Sequence, residues 1–205
     1  SLEKLILMSI KKKENLTLQH EIEIENLAAQ AIEAENFLEA RRLLEPLLKS
    51  NSEYALTTLG WMHEAGKGLP HDKGLAIEYY EQASKLGCPE AFNSLGRVLW
   101  ADGQLTEARA AFQEGAELRN LGSMNWLGVM MLRGEGGLVD VENGMRWVTA
   151  AAKGGHLAAK GQLLILEKEN SKSIFRHVIY QFKRILISLR AAKEYSDDPY
   201  SGKMY

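Results

Sequence analysis

Residue types that do chemistry are present in this chain, but not at the spacings chemistry needs. His63-Glu64 opens like a zinc-hydrolase helix, in which two histidines four residues apart share a face with a general-base glutamate. No histidine follows at the required place. His20, His71, His156 and His177 are scattered, and with Cys88 they make no metal-ligand spacing. The histidines read as surface or groove-wall residues. Gly66-Lys67-Gly68 and Gly134-Glu135-Gly136-Gly137 are glycine-rich, yet neither follows a strand nor ends in the Gly-Lys-Ser/Thr of a phosphate loop. Ser9-Ile10-Lys11-Lys12 matches the nucleophile spacing of penicillin-binding enzymes without a Ser-Asp-Asn or Lys-Thr-Gly partner. Cys88 has no basic group clearly placed to stabilise a thiolate, so it reads as a small packing residue. The expectation is a protein that is not an enzyme, with no catalytic residue, no metal and no cofactor.

The totals narrow the classes further. At 205 residues, 45% hydrophobic and 25% charged, the chain can bury a core. A net charge of -2 gives no global attraction to nucleic acid or to a membrane. One cysteine excludes an internal disulfide. No apolar run approaches the roughly 18 residues that span a bilayer. Leu5-Ile6-Leu7-Met8 is too short for a signal peptide and is soon followed by Lys11-Lys12-Lys13. The expected compartment is the cytoplasm, or the periplasm or cell exterior if a leader was removed ahead of Ser1. Asn15-Leu16-Thr17 is a glycan acceptor only in a secreted eukaryotic protein.

The elements that hold these residues come from a repeat. Leu59-Gly60, Leu95-Gly96 and Leu127-Gly128 end similar segments, with their glycines 36 and 32 residues apart. Self-similarity at this period marks stacked helical hairpins, which bury their apolar faces only against one another. Ala55, Leu56, Leu59 and Met62 form one helical stripe. Gly66-Lys67-Gly68-Leu69-Pro70 then breaks the helix, and Asp72 starts a second one carrying Ala76, Tyr79, Tyr80 and Ala83. Residues 122–155 repeat this almost residue for residue: Gly134, Gly136, Asp140, Gly144, Trp147, Ala151 and Gly155 stand in the corresponding places. The intervening unit is shorter, with Asp102-Gly103-Gln104 as its turn; the first unit turns at Glu35-Asn36. Asn36-Phe37-Leu38-Glu39-Ala40-Arg41 and Gln104-Leu105-Thr106-Glu107-Ala108-Arg109 are the same phrase. A glycine inside each first helix costs about 1 kcal/mol against alanine, so its recurrence predicts close helix–helix approach.

The long blocks resemble Sel1-like repeats, and the short ones resemble tetratricopeptide repeats. The resemblance covers roughly residues 20–166 and implies an all-α fold, an α/α superhelical solenoid of stacked helical hairpins. Leu164 replaces the glycine in a last, incomplete unit, Gly115 replaces a small alanine, and Pro46 should kink the second helix of the first unit. In both families the first helix of each hairpin lines the concave side. Counting from the Leu-Gly glycine, the outward residues are Thr57, Trp61, Glu64 and Ala65, then Asn93, Arg97, Trp100 and Ala101, then Asn125, Val129, Leu132 and Arg133. Tyr54 lies beside this row. Carboxamides can pair with both groups of a peptide bond, indoles give flat contact area and arginines hold carboxylates. The expected partner-binding residues are Tyr54, Thr57, Trp61, Asn93, Arg97, Trp100, Asn125 and Arg133.

Four segments are expected: 1–18 as an N-terminal helix or leader, 19–169 as the solenoid, 170–194 as a basic amphipathic helix and 195–205 as a tail. The stripe Ile174, Phe175, Val178, Ile179, Phe182, Ile185, Leu186 and Leu189 is backed by Lys172, Arg176, Lys183, Arg184, Arg190 and Lys193. It suits a cap on the last repeat, with docking to a partner, a second copy or an anionic membrane as the other readings. The charge argues against nucleic acid as a partner, and the chain is expected to be a monomer or a homodimer. The resemblance implies a non-enzymatic scaffold or adaptor that binds a protein or peptide in its groove. Its alternative is a bacterial immunity protein that neutralises a co-encoded toxin.

Overall fold

The computed structural model describes residues 2–166, with side chains from residue 18 onward. The basic stripe within 171–193 and the tail 195–205 lie outside the described residues. Those described form helices and no strands. The order is α1 (Leu2–Glu33), α2 (Phe37–Leu44), a 3-10 turn (Glu45–Ser50), α3 (Glu53–Ala65), α4 (Lys73–Lys85), α5 (Pro89–Ala101), α6 (Leu105–Glu117), α7 (Leu121–Arg133) and α8 (Val141–Lys153). A further helical stretch covers 157–166. The helices pair as α1/α2, α3/α4, α5/α6 and α7/α8, and each hairpin stacks on the next. No described helix is long and apolar enough to cross a membrane.

Local chemistry sets the helix ends. Ser52, Asp72, Asn120 and Asp140 each accept a backbone N–H three residues on, at 2.9–3.0 Å. Pro46 does more than kink the helix: α2 stops at Leu44 and the chain continues as a 3-10 turn. Every hairpin closes on a left-handed residue at one equivalent position, occupied by Asn51 (φ 55°), Gly87 (φ 89°), Arg119 (φ 65°) and Gly155 (φ 103°). Glycine and asparagine take this conformation readily, whereas an arginine there is strained.

Packing confirms the close approach at the Leu-Gly position. A Cβ on Gly60 would fall 2.8 Å from the Tyr80 ring, and one on Gly96 2.6 Å from the Phe112 ring. On Gly128 it would meet Val148 Cγ2 at 2.6 Å and the Gly144 carbonyl oxygen at 2.8 Å. Tyr80, Phe112 and Val148 occupy one equivalent site on the second helices, and all are buried. Ala55, Leu56, Leu59 and Met62 are buried as the stripe predicts. Leu164, at the glycine position of the incomplete unit, is 68% exposed.

Two further contacts shape the stack. The second loop glycine of each long unit sits on the preceding hairpin: Gly68 on Phe37 and Gly136 on the Leu105 backbone. Also, α3 packs on α5 and α5 on α7, while among the described residues no two second helices come as close. The stack is therefore tighter along its first helices, and that side is concave.

Two substitutions test this account. Gly60→Leu and Gly128→Leu should each destabilise the fold by about 1–3 kcal/mol in urea denaturation. Gly128 should be the more costly, because it abuts backbone atoms that cannot rotate away; parental stability in both would refute close approach. Arg119→Gly should stabilise by about 0.5–1 kcal/mol by relieving the left-handed strain, and no gain would mean the arginine is unstrained there.

Candidate functional site

The concave side carries an open cleft of about 400 Å³, lined by Ile32, Thr57, Thr58, Trp61, Glu64, Tyr80, Ser94 and Arg97. Helical spacing places them. Thr57, Trp61 and Glu64 follow one another at turn intervals on α3, as do Ser94 and Arg97 on α5. Tyr80 arrives from α4 through the space Gly60 leaves. Its ring is buried and its hydroxyl donates to Glu64 Oε2 at 2.8 Å. Arg97 Nη2 lies 3.6 Å from Glu64 Oε1, with Arg97 about half-exposed and Glu64 24% exposed. Trp61 is 37% exposed and packs on Phe37, ring centroids 6.2 Å apart. Tyr54 lies half-buried at the N-terminal end of this row. Burial raises its phenol pKa, against a hydrogen bond from Thr58 that lowers it; the charges of Glu25 and Glu33 raise it further.

A second cluster follows along the row. The Trp100 indole N–H donates to Glu135 Oε2 at 2.8 Å, and its ring lies 5.1 Å from that of Trp126. Trp126 in turn stacks on Phe112 at 5.6 Å, nearly parallel. Arg133 sits 3.5 Å from Glu135. Trp100 is thus packed between hairpins, with its only donor occupied.

Asn93 and Asn125 sit deeper than the outward row implies. Their amide oxygens are buried and find no partner among the described residues. Asn93 presses against the first turn of α7, where a Cβ on Gly122 would come within 3.0 Å of it. The equivalent Glu25 accepts the hydroxyl of Ser52, the N-cap of α3, at 2.6 Å. Asn93 and Glu25 thus lie in the seams between one first helix and the next.

Of the expected residues, then, Thr57, Trp61 and Arg97 share the cleft, Tyr54 flanks it, and Trp100 and Arg133 meet at Glu135. Glu64 was legible as an outward position but not as the residue joining Tyr80 to Arg97. Glu135 lies in a loop, where helical counting gives no signal. His63 differs from a surface histidine: it is buried, stacks on Tyr79 at 5.8 Å and meets the Pro70 carbonyl at 3.3 Å, which pins the loop. Cys88 is buried, and burial pushes its thiol pKa up, disfavouring a thiolate. Among the described residues no cluster of histidine, cysteine and carboxylate side chains could hold a metal.

Burial first, then the hydrogen bond to Glu64 and that carboxylate's charge, push the Tyr80 phenol far above its ordinary range. A raised folded pKa favours the neutral phenol. Its contribution is complete below the unfolded value of about 10 and declines as pH rises above it. Stability should therefore fall by about 1.4 kcal/mol per pH unit from this group in alkali. Chemical denaturation at about pH 9 and about pH 11 should show a shallower loss for Tyr80→Phe than for the parent. Equal losses would mean that Tyr80 ionises freely in the fold.

Comparison with known proteins places this geometry. The Sel1 repeat family model matches residues 54–88 and 122–156, the two long hairpins. No curated protein matches the sequence. A Sel1 repeat protein from Oxalobacter formigenes superposes with a TM-score of 0.60 at 20% identity, over 65% of this chain and 56% of that one. A protective antigen present in uropathogenic Escherichia coli strains, with an SLR fold, gives 0.57 at 25% identity, over 61% of this chain and 28% of that one. The chain spans about half of the first structure and under a third of the second. With two matched repeats inside one helical stack, the chain carries two Sel1 repeats and shares the helical solenoid fold of these structures, a repeat fold that commonly serves as a protein–protein interaction module.

Proposed function

We propose that this solenoid is a scaffold or adaptor that holds an extended segment of another protein along its concave row. The row runs through Tyr54, Thr57, Trp61, Asn93, Arg97, Trp100, Asn125 and Arg133. The supporting observation is the open cleft between α1 and α5, floored by α3, in which an exposed indole lies beside hydroxyls and a charged pair. Flat aromatic area with a few fixed polar groups is the usual composition of a protein-binding hot spot. Glu25, Glu33, Glu64 and Glu135 border the row and disfavour a phosphate backbone, so the reading is a protein segment and not nucleic acid.

Photo-crosslinking side chains at positions 61 and 97, against one at exposed Glu114 on α6, test the location. Both concave positions should capture the same protein from the source cells, and position 114 should not. Capture only from 114 would place the interface on the convex side. With that partner in hand, Arg97→Ala should weaken binding by about 1.5–3 kcal/mol in calorimetry, the range of a charge-assisted hydrogen bond. Its melting temperature should stay near that of the parent, because the side chain is half-exposed. Unchanged affinity with lost thermal stability would make Arg97 structural.

A further inference from the structure

The pair in the cleft is incompletely satisfied. At 3.6 Å, Glu64 Oε1 and Arg97 Nη2 attract as charges but do not hydrogen-bond. Glu64 uses Oε2 to accept from Tyr80, and among the described residues no donor reaches Oε1. Arg97 makes no hydrogen bond among the described residues either. A strong acceptor and a strong donor therefore stand side by side on the floor of an open cleft, each with capacity left.

Charge decides what the pair accepts. A carboxylate brought to Arg97 would be held against Glu64, and like charges at that range repel. A lysine or arginine brought to Glu64 would meet Arg97 in the same way. A neutral group carrying its own donor and acceptor meets neither penalty. Along an extended chain that group is the peptide backbone, where the N–H and C=O of one residue point to the same side. Asn93 and Asn125, the expected readers of peptide groups, have their amide oxygens buried.

Resting on the concave-row reading, we infer that Glu64 and Arg97 read one backbone residue of the bound segment, Glu64 accepting its N–H and Arg97 donating to its carbonyl. The neighbouring side chain then lies on Trp61 and Ile32 and is uncharged, apolar or aromatic. Recognition at this position is of chain conformation and bulk, not of charge.

A phage-displayed library of random peptides, panned on the full chain, supplies the probe. The selected sequences are made with both termini blocked and then N-methylated one backbone nitrogen at a time. The blocked peptides should bind with little difference between low and high salt. One N-methyl group should weaken binding to the parent by about tenfold, the loss of a hydrogen bond to a charged group. That penalty should disappear on Glu64→Leu. Because Glu64→Leu leaves the Tyr80 hydroxyl without its acceptor, Glu64→Leu/Tyr80→Phe serves as a second background, checked by circular dichroism. Peptides that require a free carboxylate or a basic side chain would overturn the inference, as would tolerance of every N-methyl group or an unchanged penalty on both variants. If binding still fell with Arg97→Ala while no single N–H mattered, the concave row would stand and the backbone reading would fall. If no peptide were selected, or none depended on the row, both would fall.

Discussion

The missing side chain at the Leu-Gly position is the constraint on which the stack depends. At Gly60, Gly96 and Gly128 the backbone of a first helix is bare, and a ring or a branched side chain of the second helix lies directly on it. That contact sets the distance between the two helices of a hairpin. It also lets Tyr80, a large residue, cross the full thickness of its hairpin. With a methyl group at Gly60 the phenol could not reach Glu64 without displacement, and the floor of the cleft would lose its shape. A packing decision in the core and a polar arrangement on the concave surface are therefore one fact.

Much of this was legible in the residues. The hairpins, both turn types, the Asp72 and Asp140 caps and the break at Pro46 follow from punctuation and period. The outward row on α3 and α5 followed from counting in steps of one turn. What counting could not supply was the depth of each side chain. Asn93 and Arg97 are neighbours on one helix, yet one amide sinks into a seam and one guanidinium stays half in solvent. The difference lies in what the next hairpin places beside them, a contact between residues far apart in sequence. Glu135 illustrates the same limit. Its loop carries no period, and its bond to Trp100 joins residues 35 apart.

Two of the carboxylates on the concave side are paired with arginines. Arg97 faces Glu64, and Arg133 faces Glu135. Both pairs are partly open to water, where an isolated ion pair contributes little to stability. Their effect is more on selectivity: each pair presents a dipole, and not a net charge, to whatever approaches it. Shape and hydrogen-bond direction are left to discriminate.

The seating of Gly68 on Phe37 and of Gly136 on Leu105 has an evolutionary corollary. The two contacts are equivalent and stand 68 residues apart, so the period that matters structurally is two hairpins, a short one followed by a long one. A long hairpin needs a short one before it to receive its loop. Growth or loss of such an array one hairpin at a time would leave a loop without a seat or a seat without a loop. Duplication in pairs preserves every junction, and the landmarks shared at that offset, such as Glu39-Ala40-Arg41 with Glu107-Ala108-Arg109 and Gly60 with Gly128, are what a doubling of a two-hairpin ancestor would leave behind.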